Sequence, residues 1–103
     1  MNRLSTHILD TSRGKPAAGV IVRLYAGEDE INSNVTDAEG RCPNLLANSL
    51  EAGVYRLVFE TGKYFSDGLY PVVIIVFKVG EGVEHYHIPL LISPFGYTTY
   101  RGS

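Results

Sequence analysis

Cysteine is almost missing: one thiol, Cys42, occurs in 103 residues. An intramolecular disulfide is therefore excluded, and a reducing compartment is expected. No excess of charge of either sign stands out, since 9 Lys and Arg against 11 Asp and Glu leave a net charge of −2 and a pI near 5.8. Without a basic footprint, neither nucleic acid nor an anionic membrane is an expected partner. Long apolar runs are also lacking. The longest, residues 69–77, is too short to cross a bilayer and is interrupted by Pro71. No charged-then-apolar leader opens the chain, and no Ser-Lys-Leu tripeptide closes it, so a cytoplasmic protein is expected. Repeats and low-complexity linkers are absent, which implies one domain over residues 1–103. No nucleophile elbow, P-loop or dinucleotide fingerprint is present.

What is present is turn chemistry at short intervals. Arg13-Gly14-Lys15-Pro16, Ala38-Glu39-Gly40, Ala52-Gly53, Ser66-Asp67-Gly68, Gly80-Glu81-Gly82 and Ser93-Pro94-Phe95-Gly96 separate stretches rich in β-formers. The pattern predicts an all-β sandwich, with strands near 4–10, 20–26, 31–37, 41–43, 54–60, 71–79, 84–92 and 95–101. Helix is scarce. Residues 45–48 and 62–67 could each turn helically, and one short helix at the second position is expected. Residues 72–77 are apolar on both strand faces, which a small sandwich cannot cover by itself. A subunit interface is expected there.

Period-two alternation assigns the faces. In 54–60, Tyr55, Leu57 and Phe59 oppose Arg56 and Glu60. In 84–92, Tyr86, Ile88, Leu90 and Ile92 form the core set, leaving His85, His87 and Leu91 on the other side. Pro89, without an N–H, predicts a strand edge or a bulge. His7 falls opposite Thr6 and Ile8, hence off the core face. Arg41 follows the turn Asp37-Ala38-Glu39-Gly40. Each of these has an ordinary reading: solvated histidines, a solvated arginine, and a buried apolar Cys42 rather than a nucleophile. His85, His87 and His7 could also be arranged as zinc ligands, but no acidic residue is placed to orient them, and no metal is expected. The run ends in Tyr100-Arg101-Gly102-Ser103, polar and specific where chains usually fray, so a use for it is expected.

Together these segments resemble a known family. Leu4-Ser5-Thr6-His7-Ile8-Leu9-Asp10-Thr11 with Gly14-Lys15-Pro16-Ala17 is similar to the opening of the transthyretin-like proteins. Thr36-Asp37-Ala38-Glu39-Gly40-Arg41-Cys42 is similar to their central motif. His85-Tyr86-His87-Ile88-Pro89-Leu90-Leu91-Ile92-Ser93-Pro94 with residues 97–103 is similar to their ending. Within the family a terminal Tyr-Arg-Gly-Ser marks the hydrolases of 5-hydroxyisourate and is lacking in transthyretin, the hormone carrier. Departures are Phe95 where tyrosine is frequent, Val72 where an acidic residue is common, and short loops near 27–30 and 80–82.

The resemblance implies a transthyretin-like sandwich of about eight strands in two sheets with one short helix. It implies hydrolysis of 5-hydroxyisourate to 2-oxo-4-hydroxy-4-carboxy-5-ureidoimidazoline in urate breakdown, by ring opening at an amide carbonyl. His7, Arg41, His87 and Ser103 are the implied catalytic residues. His7, Arg41, Tyr100, Arg101 and Gly102 are the implied substrate-binding set. One of His87 and His7 would serve as base on water, and the other would position it or donate a proton. Arg41 suits a substrate carbonyl or developing oxyanion, because its donor fork stays charged. Ser103 offers a hydroxyl and a terminal carboxylate. No cofactor is implied. The implied assembly is a homotetramer with sites in a channel between dimers, lined by the face that carries His85 and His87. Rival readings are a carrier with the same channel, whose pocket would be mostly apolar, and a sandwich serving adhesion or assembly.

Overall fold

Leu4, Thr6, Ile8 and Asp10 alternate with Ser5, His7 and Leu9, and strand β1 (Arg3–Asp10) buries the first set while leaving the second half-covered. The same period-two logic builds every long strand of the computed structural model, which describes residues 3–42, 45, 50–82 and 85–102. The others are β2 (Lys15–Pro16), β3 (Ile21–Ala26), β4 (Asp29–Val35), β5 (Gly53–Phe59), β6 (Val73–Val79), β7 (His85–Ser93) and β8 (Gly96–Thr99). They form two four-stranded sheets, ordered β2-β1-β7-β8 and β4-β3-β5-β6. Between the sheets lies an apolar core in which Ile8, Val22, Leu24, Leu57, Phe59 and Leu90 are fully enclosed. Truncating one of these larger side chains to alanine would cost about 2–5 kcal/mol.

Several expectations shift. Residues 41–43 do not form a strand. Arg41 makes a single bridge to His7, Cys42 stands outside any strand, and Pro43 is outside the described residues. The eighth strand is instead Lys15–Pro16, read above as turn, which pairs with Leu9 and Asp10 along the edge of β1. The short helix exists as a single 3-10 turn, Thr61–Lys63, starting one residue earlier than expected. Its geometry is set by the returning chain, because Gly62 N–H donates to the Pro71 carbonyl and Thr61 Oγ1 to the Tyr70 carbonyl. That use of Pro71 also delays β6 until Val73. The alternative helical position is largely outside the described residues.

Pro89 marks no sheet edge: it lies inside β7, between β1 and β8. Hydrogen bonds along β7 alternate in direction. Ile92 accepts from Thr11 on the β1 side, while His87 accepts from Gly102 on the β8 side. By that alternation the N–H that Pro89 lacks would point toward position 100. There the ladder breaks: β8 stops at Thr99, and pairing resumes only with the isolated bridge His87↔Gly102.

Strand β6 ends its sheet, as β8 ends the other. Val73 and Val79 point inward, with Ile75 and Phe77 packed against the core. Ile74 and Val76, on the opposite face, are 51% and 67% exposed. The two-sided apolar strand read from sequence therefore presents both an unpaired edge and an uncovered outer face in the single chain.

Candidate active site

Strands β1 and β7 run parallel, with Arg3, Ser5 and His7 opposite His85, His87 and Pro89. Residues in register share a face, so the histidines of two distant segments lie on one surface, away from the core. Each flank of that surface is closed by a single backbone bridge: Arg41 to His7 on one side, Gly102 to His87 on the other.

Arg41 is delivered by a tight turn. The Asp37 carboxylate accepts from the N–H groups of Glu39 and Arg41, and Asp37 and Arg41 join through their backbones. Gly40 is required there twice over. Its φ of 76° belongs to the left-handed region, and a Cβ would collide with the Ile8 carbonyl oxygen. That close approach lets Ile8 N–H donate to the Gly40 carbonyl and draws Arg41 against His7. Among the described residues the Arg41 guanidinium forms no ion pair, so its fork of donors is available to a ligand.

His7 Nε2 lies 2.8 Å from the Glu39 carbonyl oxygen. A carbonyl only accepts, so the neutral ring carries its proton on Nε2 and its lone pair on Nδ1. His87 is turned the other way: its Nδ1 lies 2.8 Å from Ser5 Oγ, which is also 3.0 Å from His85 Nε2. Among the described residues, His87 Nε2 makes no hydrogen bond. Burial is the largest cause holding His87 below the ordinary histidine value; the charges of His85, Arg41 and His7 act in the same direction, and hydrogen bonding to the Ser5 main chain opposes them. A neutral imidazole with an unengaged nitrogen, beside a free guanidinium, suits proton abstraction from water next to an anion-stabilising group.

The carboxyl-terminal segment divides. Gly102 is seated against the His87 ring so closely that a Cβ would fall 2.5 Å from Cδ2, and Pro89 Cγ lies 3.3 Å away. Arg101 goes elsewhere: its guanidinium covers the Tyr86 ring at 5.2 Å, on the face of β7 opposite His87. Tyr100, 57% exposed, and Arg101 line a cavity of about 400 Å³ with Ile75, Phe77, Tyr86 and Ile88, at the open side between β6 and β8. The structure therefore brings His7, Arg41, His87 and Gly102 together but not the Arg101 side chain. Ser103 is outside the described residues. Among the described residues no group of three or more His, Cys, Asp or Glu side chains is arranged around a common metal position. Cys42 is buried, and burial pushes its thiol up to about 11, which makes it inert as a nucleophile.

Sequence reading overlooked Ser5. Period two puts it on the His7 face, but only the parallel register sets it opposite His87. Asp37 and Gly40 were read as turn residues, and their part in carrying Arg41 depends on where that turn docks.

Comparison with known proteins agrees with this geometry. Residues 4–102 match the model of the HIUase/Transthyretin family. A 5-hydroxyisourate hydrolase of Halalkalibacterium halodurans is 45% identical, covering 98% of this chain and 98% of its own. The structure of Klebsiella pneumoniae 5-hydroxyisourate hydrolase superposes with a TM-score of 0.93 at 44% identity over 100% of both chains. Transthyretin from Sparus aurata superposes with a TM-score of 0.87 at 36% identity, covering 96% of this chain and 95% of that one. With its two four-stranded sheets and histidine-bearing face, the chain belongs to the HIUase/Transthyretin family.

Proposed function

We propose that this chain, acting as one domain over residues 1–103, hydrolyses 5-hydroxyisourate to 2-oxo-4-hydroxy-4-carboxy-5-ureidoimidazoline in urate breakdown. The observation that carries this reading is the convergence of His7, Arg41 and His87 on one sheet face through the parallel register of β1 and β7 and one backbone bridge. Relatives that bear the name 5-hydroxyisourate hydrolase along nearly their whole length support it. An apolar carrier pocket would have little use for three ionisable groups at its wall.

In the proposed reaction His87 removes a proton from water through Nε2, and the hydroxide attacks the amide carbonyl of the ring. Arg41 donates to the oxygen that becomes negative in the tetrahedral intermediate. His7, with its Nε2 proton committed to Glu39, offers Nδ1 as acceptor and positions water or substrate. Ser103, the residue after Gly102, supplies a hydroxyl that orients the water or a histidine. Gly102 seats the tail against His87; the Arg101 guanidinium, which lies over Tyr86 on the opposite face of β7, takes no part in the scheme. No cofactor enters the scheme.

The working unit is a homotetramer with sites between dimers, located in the cytoplasm. The unpaired edge of β6 and the exposed Ile74 and Val76 support association of copies. No helix among the described residues is long and apolar enough to cross a membrane. The test is direct: 5-hydroxyisourate is generated freshly from urate, and its decay is followed with and without the protein. Clear acceleration over the spontaneous reaction is expected; equal decay in both would end the hydrolase reading.

A further inference from the structure

One carboxylate oxygen, Asp37 Oδ1, accepts from two backbone N–H groups, Glu39 at 2.9 Å and Arg41 at 3.0 Å. The main chain of Asp37 closes the same turn: its N–H donates to the Arg41 carbonyl, and its carbonyl accepts from Gly40 N–H. Every backbone N–H from 39 to 41 therefore ends on Asp37. In a trans peptide unit the N–H and C=O point in opposite directions. With Gly40 N–H turned inward to Asp37, the Glu39 carbonyl of the same unit is turned outward, where it lies 2.8 Å from His7 Nε2.

A carbonyl cannot donate, so His7 Nε2 carries a proton whether the ring is neutral or charged. The nitrogen left for a ligand is Nδ1. Two residues beyond Glu39, Arg41 lies across from His7 in an antiparallel bridge, and residues paired in this way stand on one face. The turn thus governs two side chains at once. It orients His7 through the Glu39 carbonyl, and it places Arg41 through that residue's own N–H.

We infer that Asp37 is a positioning residue that presents His7 and Arg41 as one unit, the imidazole beside the guanidinium. The inference rests on the hydrolytic roles proposed for these two side chains and deepens them. The donor facing the developing oxyanion and the acceptor holding water or substrate must keep a fixed separation, and rates fall steeply when it drifts. Asp37 anchors Arg41 by its backbone alone. The guanidinium makes no ion pair among the described residues, so its charge is left to the ligand. What the turn needs from Asp37 is an acceptor oxygen in the right place, not a negative charge.

Asp37 is exposed, so its variants should keep the core intact and fold. The test compares Asp37→Ala, which removes the acceptor, with Asp37→Asn, which keeps an oxygen there and removes the charge. In the first measurement, ¹³C relaxation of the ring Cε1–H groups reports how firmly each imidazole is held. His7 should be rigid in the unmodified protein and in Asp37→Asn, and should loosen in Asp37→Ala. His87, flanked by Ser5 and Gly102, should be alike in all three. A His7 ring equally rigid in Asp37→Ala, or a His87 ring that loosens with it, overturns the inference, whether or not any form hydrolyses 5-hydroxyisourate. In the second, Asp37→Ala should lower kcat by about tenfold with a smaller change in KM, and Asp37→Asn should recover kcat to within about threefold. Equal losses in both variants would assign the effect to the charge and overturn the positioning role; so would full activity in Asp37→Ala. Asp37→Leu, similar in shape but without an acceptor, should behave as Asp37→Ala does. Activity matching that of Asp37→Asn would show that bulk alone shapes the turn, and would overturn the inference too. An unmodified protein without hydrolytic activity would remove the proposed function and leave the ring measurement to decide the role of Asp37.

Discussion

The two ends of the β1–β7 pair handle polar side chains in opposite ways. At one end Asp10 is buried and saturated: Ser12 donates to it through N–H and Oγ, Arg13 through N–H, and Tyr64 through its hydroxyl. Burial pushes the Asp10 carboxyl up, but these hydrogen bonds outweigh it and hold the group below the ordinary carboxylate value. At the other end His7, His85 and His87 are only partly engaged, and burial holds His87 below the ordinary histidine value. In both cases the pKa falls, but for Asp10 this favours the charged form and for His87 the neutral one. Saturation makes a structural knot, whereas an unengaged nitrogen on a half-buried ring makes a base. The same strand pair therefore carries a saturated polar cluster at one end and the groups of the proposed chemistry at the other.

The comparison breaks most visibly at the histidine end. His87→Ala or Arg41→Ala should lower kcat for 5-hydroxyisourate by about 10²-fold or more, in keeping with the loss of a base or an oxyanion donor. The thermal midpoint should hardly move, since neither side chain belongs to the core. Comparable losses of kcat and of stability would mean the two ends are not separable.

Gly102→Ala should come next. Its methyl group would meet the His87 ring at 2.5 Å, so either the ring or the tail must move. A loss of activity of about tenfold to a hundredfold is expected, given how steeply catalysis depends on placement. A ring-current shift of the His87 resonances should accompany it. Full activity with an unmoved ring would show that the tail does not press on the base.

Asp10→Asn tests the structural end. It keeps the shape but removes the charge that four donors address, and should cost about 1–3 kcal/mol by denaturant melts. Activity of the folded molecule should remain within about twofold, because the residue contacts no group at the proposed site. The smallest and sharpest contrast is in pH. Asp10, lowered in the folded state, contributes stability that is complete above the ordinary carboxyl value of 3.8 and is lost as pH falls through its folded value. His87 contributes nothing above the ordinary 6.5, and below it stability declines, because the unfolded chain takes the proton first. His87→Gln should flatten the stability curve just below neutrality, and Asp10→Asn only at strongly acid pH. Interchanged windows would refute the division.

Much of this was legible in the chain. Alternation alone assigned Tyr86, Ile88, Leu90 and Ile92 to the core and His85 and His87 to the other face, because a strand turns successive side chains to opposite sides. It did the same for His7 against Thr6 and Ile8, and for Leu57 and Phe59. The exposed apolar face of β6 was equally readable. Lys15–Pro16 was not, since two residues carry no period; its pairing depends on β1 offering an open edge. Residues 41–43 misled for the converse reason: they follow a turn as a strand would, but the turn at Gly40 brings only Arg41 alongside His7. Pro89 misled because a missing N–H is harmless wherever the neighbouring chain departs at that same point.

What the sequence determined by itself was therefore local: which residues share a face, where the chain turns, and which side chains can do acid–base work. These follow from backbone geometry, which acts over a few residues at a time. Only the tertiary structure decided the meetings. The parallel register of β1 and β7 set Ser5 between two histidines, one backbone bridge brought Arg41 to His7, and a broken ladder at Pro89 returned Gly102 to His87 while sending Arg101 to the far face. Such contacts join segments some eighty residues apart, with the hydrogen bond between Ser5 and His87 spanning 82 positions. No local preference encodes them; they are settled by how two sheets close over one core.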